Sequence, residues 1–129
     1  MTTILGMGNP LKHDDDIGNI IARRLGGIAT YTEPQNFASK DKDFIIIDAI
    51  DFGGEVGEVR LFRSADVVAS FATTHNIPVT FFEKLGKTIR LIGVQPKDLS
   101  FGEGLSSELQ QKIPEILENV RQLVEVLTD

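Results

Sequence analysis

Phe44-Ile45-Ile46-Ile47-Asp48-Ala49 is the stretch that decides how this chain folds. Four apolar residues in a row, three of them β-branched, mark a strand buried on both faces, as the central strands of parallel sheets are. The run ends at a carboxylate, Asp48, where a parallel strand hands its side chains to a ligand crevice. On either side of it, strand-like segments at 2–7, Ile28 to Thr32, Gly57 to Phe62 and Thr88 to Val94 are interleaved with helix-like ones.

A helix is expected from about Asp16 to Leu25, with Ile17, Ile20, Ile21 and Leu25 on one stripe and Gly26-Gly27 as its stop. Pro78 to Leu85 reads as a second, with Val79, Phe82 and Leu85 on one face, and Ser64 to Ala69 as a single helical turn. A closing helix runs from about Ser106 to Leu127 through Leu109, Ile113, Ile116, Leu117, Val120, Val124 and Leu127, and Pro114 inside it predicts a kink. Glu33 to Lys42 is too mixed to assign, and Asp51 to Gly57 is a Gly-rich loop. Strands alternating with helices predict one three-layer α/β/α domain over residues 1–129.

The chain has 129 residues, 41% hydrophobic and 25% charged, an ordinary globular composition for one domain. It has no cysteine, which removes disulfides, thiolate catalysis and cysteine-ligated metals together. Any metal-binding set must then be built from carboxylates and the two histidines, His13 and His75. A net charge of −6 argues against nucleic acid, whose affinity comes from basic residues on phosphates. No apolar run approaches the roughly 20 residues of a membrane span. Met1 leads straight into Thr2-Thr3-Ile4-Leu5 with no basic region or cleavage site, so a cytoplasmic location is expected.

Two acidic positions fall where the crevice of an open α/β sheet lies: Asp14-Asp15-Asp16 after the first strand and Asp48 after the third. The triplet is open to two readings. Asp caps helix N-termini and complements the helix dipole, but three adjacent carboxylates exceed what capping needs and repel unless a cation neutralises them. Asp48, following four buried residues, must be hydrogen-bonded, paired or metal-bound. His75, in Thr73-Thr74-His75-Asn76-Ile77-Pro78, either belongs to a helix start or completes an N,O,O ligand set with open coordination positions. His13 is the competing histidine. Gly6-Met7-Gly8 after a strand hints at dinucleotide binding, but the third glycine is missing and three aspartates follow, so Gly6 and Gly8 are read as making a tight turn.

These residues together resemble the nickel–iron hydrogenase maturation endopeptidases, most closely the branch serving hydrogenase 3, the formate-hydrogenlyase type. The matching motifs are Gly6-Met7-Gly8-Asn9 with Asp14-Asp15 and Gly18, Ile46-Ile47-Asp48-Ala49, Gly57-Glu58-Val59-Arg60, Thr73 to Pro78, and Ile92-Gly93-Val94-Gln95-Pro96. They stand in family order and span nearly the whole chain.

The resemblance implies a phosphorylase/hydrolase-like five-stranded mixed sheet between helices, with the strand at Glu58–Phe62 antiparallel. It implies an endopeptidase that removes the C-terminal extension of a [NiFe]-hydrogenase large-subunit precursor after nickel insertion. Nickel in the precursor would be the recognition element, engaged by Asp15, Asp48 and His75, with Asp15 and Asp48 also catalytic as in an aspartyl protease. The free enzyme would hold that nickel weakly or not at all. Asp16 departs from the small residue usual in the family, and Glu33–Lys42 is too short for the loop and helix that relatives carry there. Two alternatives are a peptidyl-tRNA hydrolase-like esterase, echoed by Gly6-Met7-Gly8-Asn9-Pro10 and His75-Asn76, and a non-catalytic metal-dependent remnant of the protease.

Overall fold

The computed structural model describes residues 1–63 and 76–129, with only the backbone of residues 76–79. The strands are β1 (Thr2–Gly6), β2 (Ile28–Ala29), β3 (Asp43–Ala49), β4 (Val59–Phe62) and β5 (Thr88–Val94). The helices are α1 (Ile17–Arg24), α2 (Asn76–Lys84), α3 (Ser107–Gln111) and α4 (Ile113–Thr128), with 3-10 turns at His13–Asp16 and Pro34–Phe37. The sheet order is β2-β1-β3-β5-β4. All pairings are parallel except β4 with β5, which is antiparallel, as the resemblance implies.

The Phe44–Ile47 run lies at the centre of this sheet, between β1 and β5, and is fully buried. Its side chains alternate between two cores. Ile45, Ile47 and Ala49 pack with Ile17 and Ile21 of α1 and with Leu109, Ile113, Ile116 and Val120 of α3 and α4. Phe44, Ile46 and Ile50 pack on the opposite face with Leu5, Met7 and Phe82 of α2. Phe44 and Phe82 meet with ring centroids 4.9 Å apart. Helices on both faces make the three layers expected, and by the same alternation Asp48 belongs to the face covered by α2. Among the described residues no helix is long and apolar enough to cross a membrane.

Several expectations change in detail. The strand expected from Ile28 to Thr32 is only two residues long. Thr30 still bonds Gly6 O through both its N–H and its hydroxyl, but Tyr31 turns away at φ +57°. The unassigned segment holds one 3-10 turn, Pro34–Phe37, before β3 begins. Leu85 lies past the end of α2 and is exposed instead of sharing the Phe82 face. The closing helix is two helices that share Lys112 as cap. Pro114 therefore sits in the first turn of α4, where its missing N–H costs nothing, and it restarts the helix instead of kinking it. The turn read at Ser64 to Ala69 lies outside the described residues.

Candidate active site at the β1–β3 edge

The order of the sheet reverses between β1 and β3, whose C-terminal ends lie side by side with Gly6 in register with Ile47. Met7 N–H extends the ladder to Ile47 O at 2.9 Å, so the loop leaving β1 starts one residue from Asp48. Three glycines let the backbone close up here. A Cβ on Gly18 would strike the carbonyls of Ile47 and Met7, and one on Gly8 would strike the Asp15 carbonyl, besides straining a φ of +149°. Gly6 and Gly8 thus serve close approach, which agrees with the tight-turn reading and puts the acidic turn directly over the end of the sheet.

The three adjacent aspartates do three different things. Asp14 is 0% exposed and accepts hydrogen bonds from Lys97 N–H at 2.8 Å, Asp98 N–H at 3.0 Å, Ser106 N–H at 2.7 Å and the Ser106 hydroxyl at 2.8 Å. It is a tie between the first loop and the segment joining β5 to α3, made of charge-assisted bonds that offset its desolvation. Asp15 is 8% exposed and accepts from Asn9 N–H at 2.7 Å. Asp16 stands at the N-cap of α1 but makes no capping bond; its carboxylate accepts from Asn19 Nδ2 at 2.9 Å. The helix-capping reading of the triplet is therefore corrected, because the preceding 3-10 turn already occupies the geometry that a cap would need.

Asn19 is a residue that the sequence reading passed over. Fully buried, it donates to Gly8 O at 2.9 Å and accepts from Tyr31 N–H at 3.1 Å, pinning the loop from below. Its signal was a lone polar residue beside the apolar stripe of α1. Gln95, one residue past β5, stands in the Ile92–Pro96 motif, where the sequence reading gives it no role. Its Oε1 accepts from Phe52 N–H at 2.9 Å and Gly54 N–H at 3.1 Å, while its Nε2 donates to Asp51 at 3.0 Å. The Gly-rich loop after β3 is thus built around one side chain. Gln95, aided by Gly53 N–H, holds the Asp51 carboxyl below the usual carboxylate range.

Asp48 is 3% exposed on β3, on the α2 face of the same edge. Asp15 and Asp48 are thus brought to one end of one crossover. His75 precedes α2 in sequence and lies outside the described residues; among those described, no trio of His, Asp and Glu is grouped closely enough to hold a metal ion. His13 faces elsewhere. Its Nδ1 lies 2.8 Å from Gly104 O, and its ring fills the space a side chain at Gly102 would need. That is a structural role in joining the first loop to residues 102–104. Chemically, the edge offers carboxyl oxygens, which suit proton transfer and the coordination of hard or borderline cations.

The family model for hydrogenase maturation protease matches residues 28–123, a span that includes Asp48 and His75 and begins after Asp15. The hydrogenase 3 maturation protease of Escherichia coli K12 is 27% identical over 141 aligned residues, covering 95% of this chain and 87% of that protein. The alignment is longer than this chain of 129 residues, so the relative carries residues that have no counterpart here. Among solved structures, the [NiFe] hydrogenase maturation protease HycI from Thermococcus kodakarensis superposes with a TM-score of 0.72 at 26% identity, over 99% of this chain and 92% of the other. HybD from the same organism superposes with a TM-score of 0.75 at 25% identity, over 95% and 97%. The five-stranded mixed sheet is the fold these proteins share.

Proposed function

Because this chain belongs to the hydrogenase maturation protease family, we propose that it removes the C-terminal extension of a [NiFe]-hydrogenase large-subunit precursor in the cytoplasm once nickel has been inserted. Its reaction class is peptide-bond hydrolysis, as in the relatives named as proteases and endopeptidases. The substrate is assigned to the hydrogenase 3, formate-hydrogenlyase type on the likeness to the E. coli enzyme. The observation that supports the reading is that two buried carboxylates, Asp15 in the loop leaving β1 and Asp48 near the end of β3, lie at the same edge of the sheet.

Nickel arrives in the substrate, held by the precursor's own thiolates. Asp15, Asp48 and His75 complete its coordination and so recognise a precursor that is ready to be cut. Three N,O ligands without a thiolate make an incomplete site, and the free protein binds divalent metal weakly. With the tail positioned, a carboxylate of this pair takes a proton from water as its oxygen attacks the scissile carbonyl. The carbon–nitrogen bond then breaks, and the proton passes to the leaving amine. If nickel takes part in the chemistry as well as in recognition, it would supply Lewis-acid activation of that water in place of the carboxylate.

Nickel-loaded and nickel-free precursor, each incubated with the protein and followed by mass spectrometry, test this directly. Only the loaded form should lose its tail. Asp15→Asn, Asp48→Asn and His75→Ala should each abolish the mass shift, and His13→Ala should leave it intact. Cleavage of the nickel-free form would remove nickel from the reading. No cleavage by the parent protein would favour the non-catalytic remnant.

A further inference from the structure

Beside the acidic turn, the surface leaves three large apolar side chains exposed in part or nearly in full. Leu11 is 55% exposed, Leu99 37% and Phe101 80%. The segments that carry Leu11 and Phe101 are joined through their backbones. Gly102 N–H donates to Leu11 O at 2.8 Å, and His13 N–H donates to Gly102 O at 2.9 Å, forming a parallel bridge between Lys12 and Gly102. The turn before Phe101 is fixed by Asp98, whose carboxylate accepts from both the N–H and the hydroxyl of Ser100. Lys12 Nζ lies 5.5 Å from the centroid of the Phe101 ring, within cation–π range. An aromatic side chain displayed in water on a braced loop loses little conformational entropy on binding, as a protein-contact anchor should.

This patch is continuous with the candidate site. Asp15 N–H donates to Lys12 O at 3.0 Å, and Asn9 bonds both partners: its own N–H goes to the Asp15 carboxylate and its Oδ1 accepts from Leu11 N–H. A carboxylate reaches a metal at about 2.0–2.2 Å. A folded protein that brings its metal to Asp15 comes within a few residues of Leu11 and Lys12, which share these bonds with Asp15 and Asn9.

We propose that Leu11, Leu99 and Phe101, with Lys12 at their rim, are the docking surface for the folded body of the precursor. They would take an apolar surface cluster flanked by a carboxylate that pairs with Lys12. The inference rests on the function proposed above and adds the second contact by which the substrate is held.

The test pairs steady-state cleavage of nickel-loaded precursor with calorimetric binding of the same precursor. The variants are Phe101→Ser, Leu11→Ser/Phe101→Ser and Lys12→Glu, whose positions outside the two apolar cores leave the thermal midpoint near the parent's. The double variant should raise KM and the dissociation constant at least tenfold with kcat within twofold; Lys12→Glu should raise KM several-fold. Unchanged KM with normal cleavage overturns the docking surface alone. So does a fall confined to kcat, or sedimentation showing that the parent is a dimer which the double variant dissociates. If the parent binds precursor without cutting it and the double variant binds tenfold more weakly, docking stands and the protease reading falls. If the parent neither binds nor cuts, both fall.

Discussion

The loops that leave β1 and β3 end at the same edge of the sheet but are secured in opposite ways. The first is tied from three directions: Asp14 to the segment before α3, Asn19 to Gly8 and Tyr31, and the Lys12 bridge to Gly102. The second hangs on Gln95, which bonds Phe52, Gly54 and Asp51 through one amide. A loop tied to distant segments keeps its carboxylates in place only if the whole C-terminal half is folded. A loop that converges on one side chain depends chiefly on that residue, helped here by Lys112 Nζ on Val56 O at 2.9 Å. The difference predicts where the molecule is brittle and where it can be changed.

The neighbouring pair Asp14 and Asp15 should give the largest and most contrasting effects. Asp14→Ala takes the buried carboxylate away from three partly buried backbone N–H groups and a hydroxyl, which should lower the unfolding free energy by about 3–5 kcal/mol. Asp15→Asn keeps the shape and an acceptor for Asn9 N–H, and should change stability by less than ~1 kcal/mol while removing cleavage. Urea unfolding beside precursor processing reads both. Equal destabilisation by the two substitutions would mean that Asp15, like Asp14, is a structural tie.

Gln95→Leu comes next. It preserves the volume but removes the acceptor for Phe52 and Gly54 and the donor to Asp51, costing about 2–3 kcal/mol. Because Asp51 would lose the bond that most lowers its pKa, its carboxyl should titrate at higher pH, nearer 3.8. Amide hydrogen exchange should quicken at Phe52 and Gly54 and stay slow at Gly8, whose N–H is bonded to Tyr31 O. Faster exchange in both loops would show that they share one cooperative unit and that the contrast is false.

Elements defined by local pattern were legible in the sequence. The Phe44–Ile47 run, the α1 stripe and the Thr88–Val94 strand lie where their spacing put them, since each pattern is decided within a few residues. The burial of Asp48 followed from the apolar run before it. What escaped was set by long-range partners. Asp14 looks like a helix cap because its neighbours are local, but its donors lie 83 to 92 residues away. Gln95 reads as a polar residue after a strand until the loop 43 residues before it is folded onto it. Pro114 was misread because a proline in an apolar helical stripe has the same spacing whether it kinks one helix or opens a second.

Asp16→Gly should have a smaller effect. The carboxylate makes a side-chain bond to Asn19, while Asn19 keeps Gly8 O and Tyr31 N–H, so a loss of about 1 kcal/mol is expected, part of it from the flexibility of glycine. Cleavage should persist. If Asp16→Gly stops cleavage and Asp15→Asn does not, the functional carboxylate is one residue further along the turn.

The smallest effect lies at the tip of the segment that Asp14 ties down. Bonds from the Ser100 hydroxyl and N–H, with help from the charges of His13 and Lys97, hold the Asp98 carboxyl below its ordinary 3.8. A carboxyl whose pKa is lowered on folding adds stability above its unfolded pKa and loses that contribution as pH falls through the folded value. The turn at 98–100 should therefore stay closed through pH 4 and loosen only below it. The Ser100 amide resonance, followed by NMR from pH 6 to 2, should titrate with a midpoint under 3.8. Ser100→Ala keeps the N–H but removes the hydroxyl, and should move that midpoint part of the way up with no measurable change in thermal stability at pH 7. Identical midpoints in the two proteins would mean that the hydroxyl contributes nothing, leaving the backbone N–H and the neighbouring charges to set the turn.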